Sequence, residues 1–166
     1  PEDTSFPGRV EAVFASALVV LLAPLLNAIL LAVLFWGVVS RGLLLGWLAV
    51  NLLVVGWRYT LAIWYRRTPV AARDPRRWAA TFLLSLYASG AALGSAGVLL
   101  FPSGSLIHQV FLAFLMGGMV AGVVGAYSPL RRAFVPYSTF VALPVIVRLF
   151  VEGGTFGTAM ALMSLL

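Results

Sequence analysis

Residues 16–39 read SALVVLLAPLLNAILLAVLFWGVV, and residues 42–64 read GLLLGWLAVNLLVVGWRYTLAIW. The first run contains no charged side chain, and the second contains only Arg58. A helix that crosses the hydrocarbon core of a bilayer needs roughly 20 predominantly apolar residues. Both runs reach that length. The sequence therefore predicts two consecutive transmembrane helices, joined by a short turn at Ser40 and Arg41.

The composition of the whole chain agrees with this interpretation. Of its 166 residues, 62% are apolar and only 10% are charged, whereas a typical soluble domain has about 25% charged residues. So few charges exclude a disordered chain and an ordinary water-soluble enzyme domain. The chain has no cysteine, which excludes a disulfide framework and a thiolate metal site.

The other apolar runs extend the pattern to an all-α integral membrane bundle of six transmembrane helices, in a single domain that covers residues 1–166. The predicted spans are residues 16–39, 42–64, 78–100, 105–127, 134–151 and 155–166. The sixth span is truncated, because it is too short to cross a bilayer. We therefore expect the chain to continue after Leu166 into a cytoplasmic output domain.

The net charge of +6 comes from eleven arginines, without any lysine. Most of them lie in two loops, residues 65–77 and 128–133, which six antiparallel spans place on the same side of the membrane. Positively charged loops face the cytoplasm, so the sequence predicts that both termini lie inside a bacterial cytoplasmic (inner) membrane. We interpret the charge as an orientation signal and expect no nucleic-acid partner.

Four polar residues are predicted to share the outer third of the membrane, where such groups are often functional. These are His108, Gln109, Arg148 and Glu152. Arg148 and Glu152 are spaced i,i+4 and are expected to pair on one helix face. They form either a self-neutralised pair that reaches the headgroups or, with the other two, a site for a small amphipathic or anionic ligand.

The sequence offers little for metal, cofactor or catalytic chemistry. His108 is the only histidine, so bis-histidine haem ligation is excluded and zinc or copper lacks ligands. We expect no metal, no cofactor and no enzymatic activity in this chain, which has no catalytic motif. Ser105 precedes His108 by three residues, but in a predicted surface turn. His108 is expected to be a packed residue or a pH-sensitive one.

Several residues are predicted to act in helix packing. Asn27 and Asn51 lie near mid-depth on adjacent spans and are expected to hydrogen-bond each other. Arg58 is expected to reach the inner headgroups. Pro144 is a predicted hinge, because it leaves the Phe140 carbonyl without its helical donor.

Two glycine stripes with i, i+4, i+7 spacing allow close helix approach. They are expected to meet near Gly90 and Gly118, leaving the outer half of the third span to a tight neighbour or a pocket. The stripes consist of Gly90, Gly94 and Gly97, and of Gly118, Gly122 and Gly125.

The second half of the chain, residues 78–166, carries a pattern of turn, glycine and charged residues within apolar sequence. The residues are Phe101-Pro102-Ser103-Gly104-Ser105, His108-Gln109, Phe111 to Phe114, Gly118-Met119, Ala121-Gly122, Leu143-Pro144, Arg148-Leu149 and Glu152-Gly153. With them the chain resembles the N-terminal membrane regions of bacterial signalling proteins, namely hybrid histidine kinases and GGDEF/EAL cyclic-di-GMP enzymes. The resemblance implies a sensor or dimerisation module, and a homodimer is expected by analogy.

Three functions are therefore open. The first is a sensory input domain, or receptor, for signal transduction, as in a two-component system, which relays ligand or membrane state to a histidine kinase or diguanylate cyclase domain. The second is a small transporter or channel, although neither internal repeats nor midplane charges are evident. The third is a structural anchor that dimerises an output domain.

Overall fold

The computed structural model describes residues 21–69, 73–127 and 131–152, all of whose regular structure is helical. Six helices occur in this part of the chain. They are α1 (Leu22–Leu34), α2 (Arg41–Arg67), α3 (Pro75–Gly94), α4 (Ala96–Leu99), α5 (Leu106–Tyr127) and α6 (Arg131–Glu152). Because α4 continues α3 after a break at Ser95, the described residues form five helical segments.

The all-α prediction is confirmed, but its count of six spans is not. Three segments are long and apolar enough to cross a membrane, namely Arg41–Arg67, Pro75–Leu99 and Phe134–Glu152. Leu22–Leu34 and Leu106–Gly122 are shorter apolar helices. The start of the first predicted span and the whole of the sixth, residues 155–166, lie outside the described residues.

The start of α3 follows from its local sequence. Asp74 caps the helix by accepting a hydrogen bond from the backbone N–H of Arg76 at 3.0 Å. Pro75 occupies the first helical position, where its missing N–H has no intrahelical acceptor to lose. The polar loop and the proline therefore end one span and start the next.

A tight turn joins α4 to α5. Within it, the N–H of Ser103 donates to the Phe101 carbonyl at 3.0 Å, and that of Ser105 donates to the Pro102 carbonyl at 3.1 Å. Gly104 has a φ of 92°, in the left-handed region that glycine adopts without a steric penalty. The Pro-Ser-Gly-Ser sequence thus reverses the chain within a few residues.

The first glycine stripe, with Gly90 and Gly94 in α3 and Gly97 in α4, brings this part of the chain close to α6. A Cβ added at Gly90 would lie 3.0 Å from Tyr137 Cδ2, and one added at Gly97 would lie 2.7 Å from the backbone nitrogen of Val145. Residue numbers rise together in the two helices, so α3 and α6 are parallel. They therefore begin at the same end of the bundle, as alternating spans require.

The outside of the bundle is apolar. Leu53, Ile107 and Phe114 are 73%, 68% and 75% exposed. Contiguous apolar surface of this kind indicates contact with lipid or with another protein. The surface agrees with the apolar length of the three candidate spans and with a membrane protein.

Candidate functional site

The predicted ligand-binding residues converge on the turn between α4 and α5. We use the name "turn end" for this end of the bundle, which comprises residues 35–41, 100–109 and 148–152. The ring of Phe35 lies 5.6 Å from that of His108, and Ser103 Oγ lies 3.3 Å from Glu152 Oε2. These contacts place His108 and Glu152 at the turn end, and the shared position of the four residues in the outer third of a membrane stays a prediction.

Arg148 is held against an aromatic ring. Its guanidinium carbon lies 5.1 Å from the centroid of the Phe101 ring, within the range of a cation–π interaction. Its Nε is buried and has no hydrogen-bond acceptor in the described part of the chain. A buried donor without an acceptor is costly, and an acceptor placed at Nε would remove that cost.

The expected ion pair between Arg148 and Glu152 does not form. Arg148 turns towards Phe101, whereas the exposed Glu152 accepts a hydrogen bond from Ser103 Oγ. Within residues 21–69, 73–127 and 131–152, the ion pair that does form joins Arg77 to Asp74 at 3.7 Å. The i,i+4 spacing permits pairing, but the α4–α5 turn supplies a competing partner to each side chain.

His108 and Gln109 contact the same turn. His108 Nδ1 lies 2.6 Å from Ser105 Oγ, and its ring meets Phe35 edge to face. Gln109 is buried and donates through Nε2 to the Pro102 carbonyl at 3.3 Å. Both residues therefore brace the turn, and neither presents a metal-binding cluster. No group of three His, Cys, Asp or Glu side chains able to hold a metal is found among the described residues.

The two asparagines bind backbone carbonyls and not each other. Asn27 Nδ2 donates to the Leu115 carbonyl at 3.3 Å, and its buried Oδ1 has no donor in the described structure. Asn51 Nδ2 donates to the carbonyls of Trp47 at 2.9 Å and Ala92 at 3.3 Å. The predicted Asn27–Asn51 bond is wrong, because each side chain faces a different neighbouring helix, α5 for Asn27 and α3 for Asn51.

The glycine stripes do not meet. Gly94 lies so close to α6 that an added Cβ would overlap the Phe140 carbonyl oxygen and lie 2.8 Å from its carbon. A Cβ at Gly118 or Gly122 would meet nothing within 4 Å in the described structure. The first stripe thus packs on α6, and the expected meeting of Gly90 with Gly118 is wrong. Gly125 lies outside the residues whose side-chain surroundings are described.

In the described structure α6 lies directly against Gly94 and Gly97, so a tight neighbour, and not a ligand, occupies the space beside the outer half of the third span. An apolar cleft of about 270 Å³ lies elsewhere, between α5 and α6. Its lining includes Ala113, Met116, Gly117, Val120, Ala142 and Val145.

Pro144 lies inside α6 and explains the closest approach. It has no N–H to donate to the Phe140 carbonyl, and this carbonyl faces Gly94. The hinge role of Pro144 stays a prediction. The structure shows that the Phe140 carbonyl, which has no helical donor, lies against Gly94, a residue without a side chain.

The sequence did not predict the surroundings of two residues inside the helical bundle. Arg58 is only 5% exposed and lies 5.8 Å from the ring of Phe82, so it is buried against α3 instead of extending to the headgroups. Trp47 was not singled out, yet its Nε1 donates to the Ala92 carbonyl at 3.0 Å. Hydropathy gives the depth of a residue but not the direction it faces.

Comparison of the chain with protein-family models, with curated proteins and with solved structures finds no match.

Proposed function

We propose that this chain is a membrane-embedded sensory input domain that binds an anionic amphiphile at its turn end. In this proposal the turn end faces the outside of a bacterial cytoplasmic membrane, with both termini inside. The bound state would be relayed to a cytoplasmic histidine kinase or diguanylate cyclase domain. The resemblance of residues 78–166 to membrane regions of such signalling proteins supports this class of output.

One observation carries the proposal: the buried Nε of Arg148 lacks an acceptor among the described residues. A guanidinium presents five donors in a planar fork that suits carboxylate, sulfate or phosphate groups. The Phe101 ring orients the fork, and the Ser103 hydroxyl of the same turn is bound to Glu152. An anion at this place would satisfy a donor that the protein itself leaves unsatisfied.

The relay follows from the position of Arg148 on α6. Arg148 lies one turn beyond Pro144, and α6 continues from there towards the opposite end in direct backbone contact with α3. A ligand shifts a conformational equilibrium only through a difference in affinity between its states. In this proposal the anion binds more tightly to the state in which it bridges Arg148 and the turn. That bridge changes the packing of α6 on α3.

The binding step is tested with sodium decanoate as the anionic probe and decanol as its uncharged counterpart. The chain is placed in zwitterionic nanodiscs, and its thermal unfolding is followed by circular dichroism. Decanoate should raise the unfolding midpoint in a concentration-dependent way, and decanol should not. Arg148→Gln should remove the effect, whereas Arg41→Gln should keep it, because Arg41 is an exposed arginine on a ring of the same end. Equal responses of the two variants would contradict the site.

The relay step is tested by spin-label distances. The chain lacks cysteine, so a pair of cysteines can be introduced for spin labelling, one at the exposed Leu84 on α3 and one at the exposed Val135 on α6. The distance between the two labels then reports the separation of the two helices. Decanoate should change the distance distribution in the native chain and leave it unchanged in Arg148→Gln. Binding without any change would contradict the sensory role and favour a structural anchor. Flux of small solutes in liposomes would favour a transporter or channel.

A further inference from the structure

The opposite end of the bundle carries a concentrated positive charge. We call it the arginine end and define it by residues 64–69 and 73–78. The arginines there are Arg66, Arg67, Arg73, Arg76 and Arg77, and the only acid is Asp74. Asp74 is occupied, because it caps α3 and lies 3.7 Å from Arg77. The patch therefore keeps a large excess of positive charge.

Arg73 is held by an aromatic ring and by a backbone carbonyl of this end. Its guanidinium carbon lies 4.5 Å from the centroid of the Tyr65 ring, and its Nε donates to the Thr68 carbonyl at 2.9 Å. Its two terminal amino groups have no acceptor among the described residues. A guanidinium held in place before binding loses little conformational entropy when it binds, and the edge formed by its two amino groups suits two phosphate oxygens.

Aromatic side chains mark the depth of this cation. Trp64 is 67% exposed, and its ring lies 6.1 Å from that of Trp78, which also meets Tyr65 at 5.1 Å. Tryptophan and tyrosine concentrate at the headgroup level of bilayers. These aromatic residues indicate that Arg73, between the end of α2 and the start of α3, lies at headgroup level.

We propose that the arginine end binds the headgroup of an anionic phospholipid, with Arg73 as the central phosphate contact. Tyr65 and the Thr68 carbonyl position Arg73, and the exposed Arg67 and Arg76 add attraction for the negative headgroup. Basic side chains next to transmembrane helices recognise anionic lipids in this way. The inference is independent of the sensory role, which depends on the other end of the molecule.

Native mass spectrometry of the whole chain tests this proposal with phosphatidylglycerol, phosphatidylcholine and inorganic phosphate. The chain should retain phosphatidylglycerol in preference to phosphatidylcholine. Arg73→Gln should weaken retention about fivefold or more, as expected for one basic residue near a membrane surface. Arg41→Gln is the matched control, because Arg41 also lies over a ring, 5.7 Å from that of Trp36, but at the turn end.

Two further arms keep the outcome decisive. Arg73→Lys preserves the charge but not the planar fork and should give intermediate retention, and Tyr65→Leu should weaken binding by releasing Arg73. Unchanged helical circular dichroism verifies that each variant is folded. Equal retention by Arg73→Gln and Arg41→Gln would overturn the proposal. Full competition by millimolar inorganic phosphate would also overturn it, because the site would then hold a free anion.

Discussion

Replacing Gly94 with alanine tests the backbone contact between α3 and α6. The added methyl group would overlap the carbonyl oxygen of Phe140 and lie 3.0 Å from the Cα of Val141. These are backbone atoms, which cannot rotate away as a flexible side chain would. The two helices must therefore separate or shift to accept the substitution.

The expected size follows from two opposing terms. Overpacking a well-packed interior costs about 1–3 kcal/mol, and the upper part of this range applies because the neighbour is backbone. Glycine to alanine in a helix recovers up to about 1 kcal/mol. Gly94→Ala should therefore lower the free energy of unfolding by about 2 kcal/mol, which is roughly a thirtyfold change in the unfolding equilibrium.

Gly118→Ala is the matched control. It shares the helical propensity gain, but its new Cβ meets nothing within 4 Å in the described structure, so stability should stay equal or rise by up to about 1 kcal/mol. Gly90→Ala should fall between the two, because its nearest neighbour is a side-chain atom, Tyr137 Cδ2 at 3.0 Å, and the backbone oxygen of Tyr137 lies further away, at 3.3 Å.

The assay is equilibrium unfolding of the whole chain in mixed micelles with increasing dodecyl sulfate, followed by circular dichroism. Gly94→Ala should unfold at the lowest dodecyl sulfate fraction of the three variants. If Gly94→Ala and Gly118→Ala unfolded together, the close packing of α3 on α6 would be refuted. If Gly94→Ala failed to fold at all, Gly90→Ala would still test the predicted order against Gly118→Ala.

Two other predictions use the same chain. Asn51→Leu should lower stability in the same unfolding assay by about 0.6–1.7 kcal/mol, the range for interhelical hydrogen bonds in membranes. Asn27→Leu should change it less, since it also removes a buried oxygen that has no donor among the described residues; the reverse order would contradict both assignments. For orientation, a cysteine at Ser103 should react with an impermeant maleimide on intact cells, and a cysteine at Pro69 only after permeabilisation. The opposite pattern would reverse the predicted topology.

Helix positions could be read from the sequence because apolar runs and their breaks are local signals. The predicted span 105–127 corresponds to Leu106–Tyr127, and 134–151 lies within Arg131–Glu152. The sequence also identified Gly90, Gly94 and Gly97 as a face for close approach. It could not identify α6 as the helix that packs on this face. The sequence shows that the residues are small, but it does not show which helix lies next to them.

The polar contacts were less predictable for a related reason. Spacing along one helix suggested that Arg148 would pair with Glu152, but the α4–α5 turn draws each of them to a separate partner. Arg58 was expected to reach the headgroups, yet the side of α2 from which it projects buries it against Phe82. Both errors arise where a side chain chooses between neighbours that the local sequence does not specify.

The hydrogen bond from Trp47 to the Ala92 carbonyl makes the fluorescence of Trp47 sensitive to the structure around this carbonyl. This single oxygen accepts hydrogen bonds from Trp47 Nε1, Asn51 Nδ2 and Ser95 Oγ at 3.0, 3.3 and 2.7 Å. It lies at the break between α3 and α4, so any change in the pitch of that break alters the surroundings of the Trp47 indole. In a variant that keeps Trp47 as its sole tryptophan, the emission wavelength would follow that motion without an attached dye.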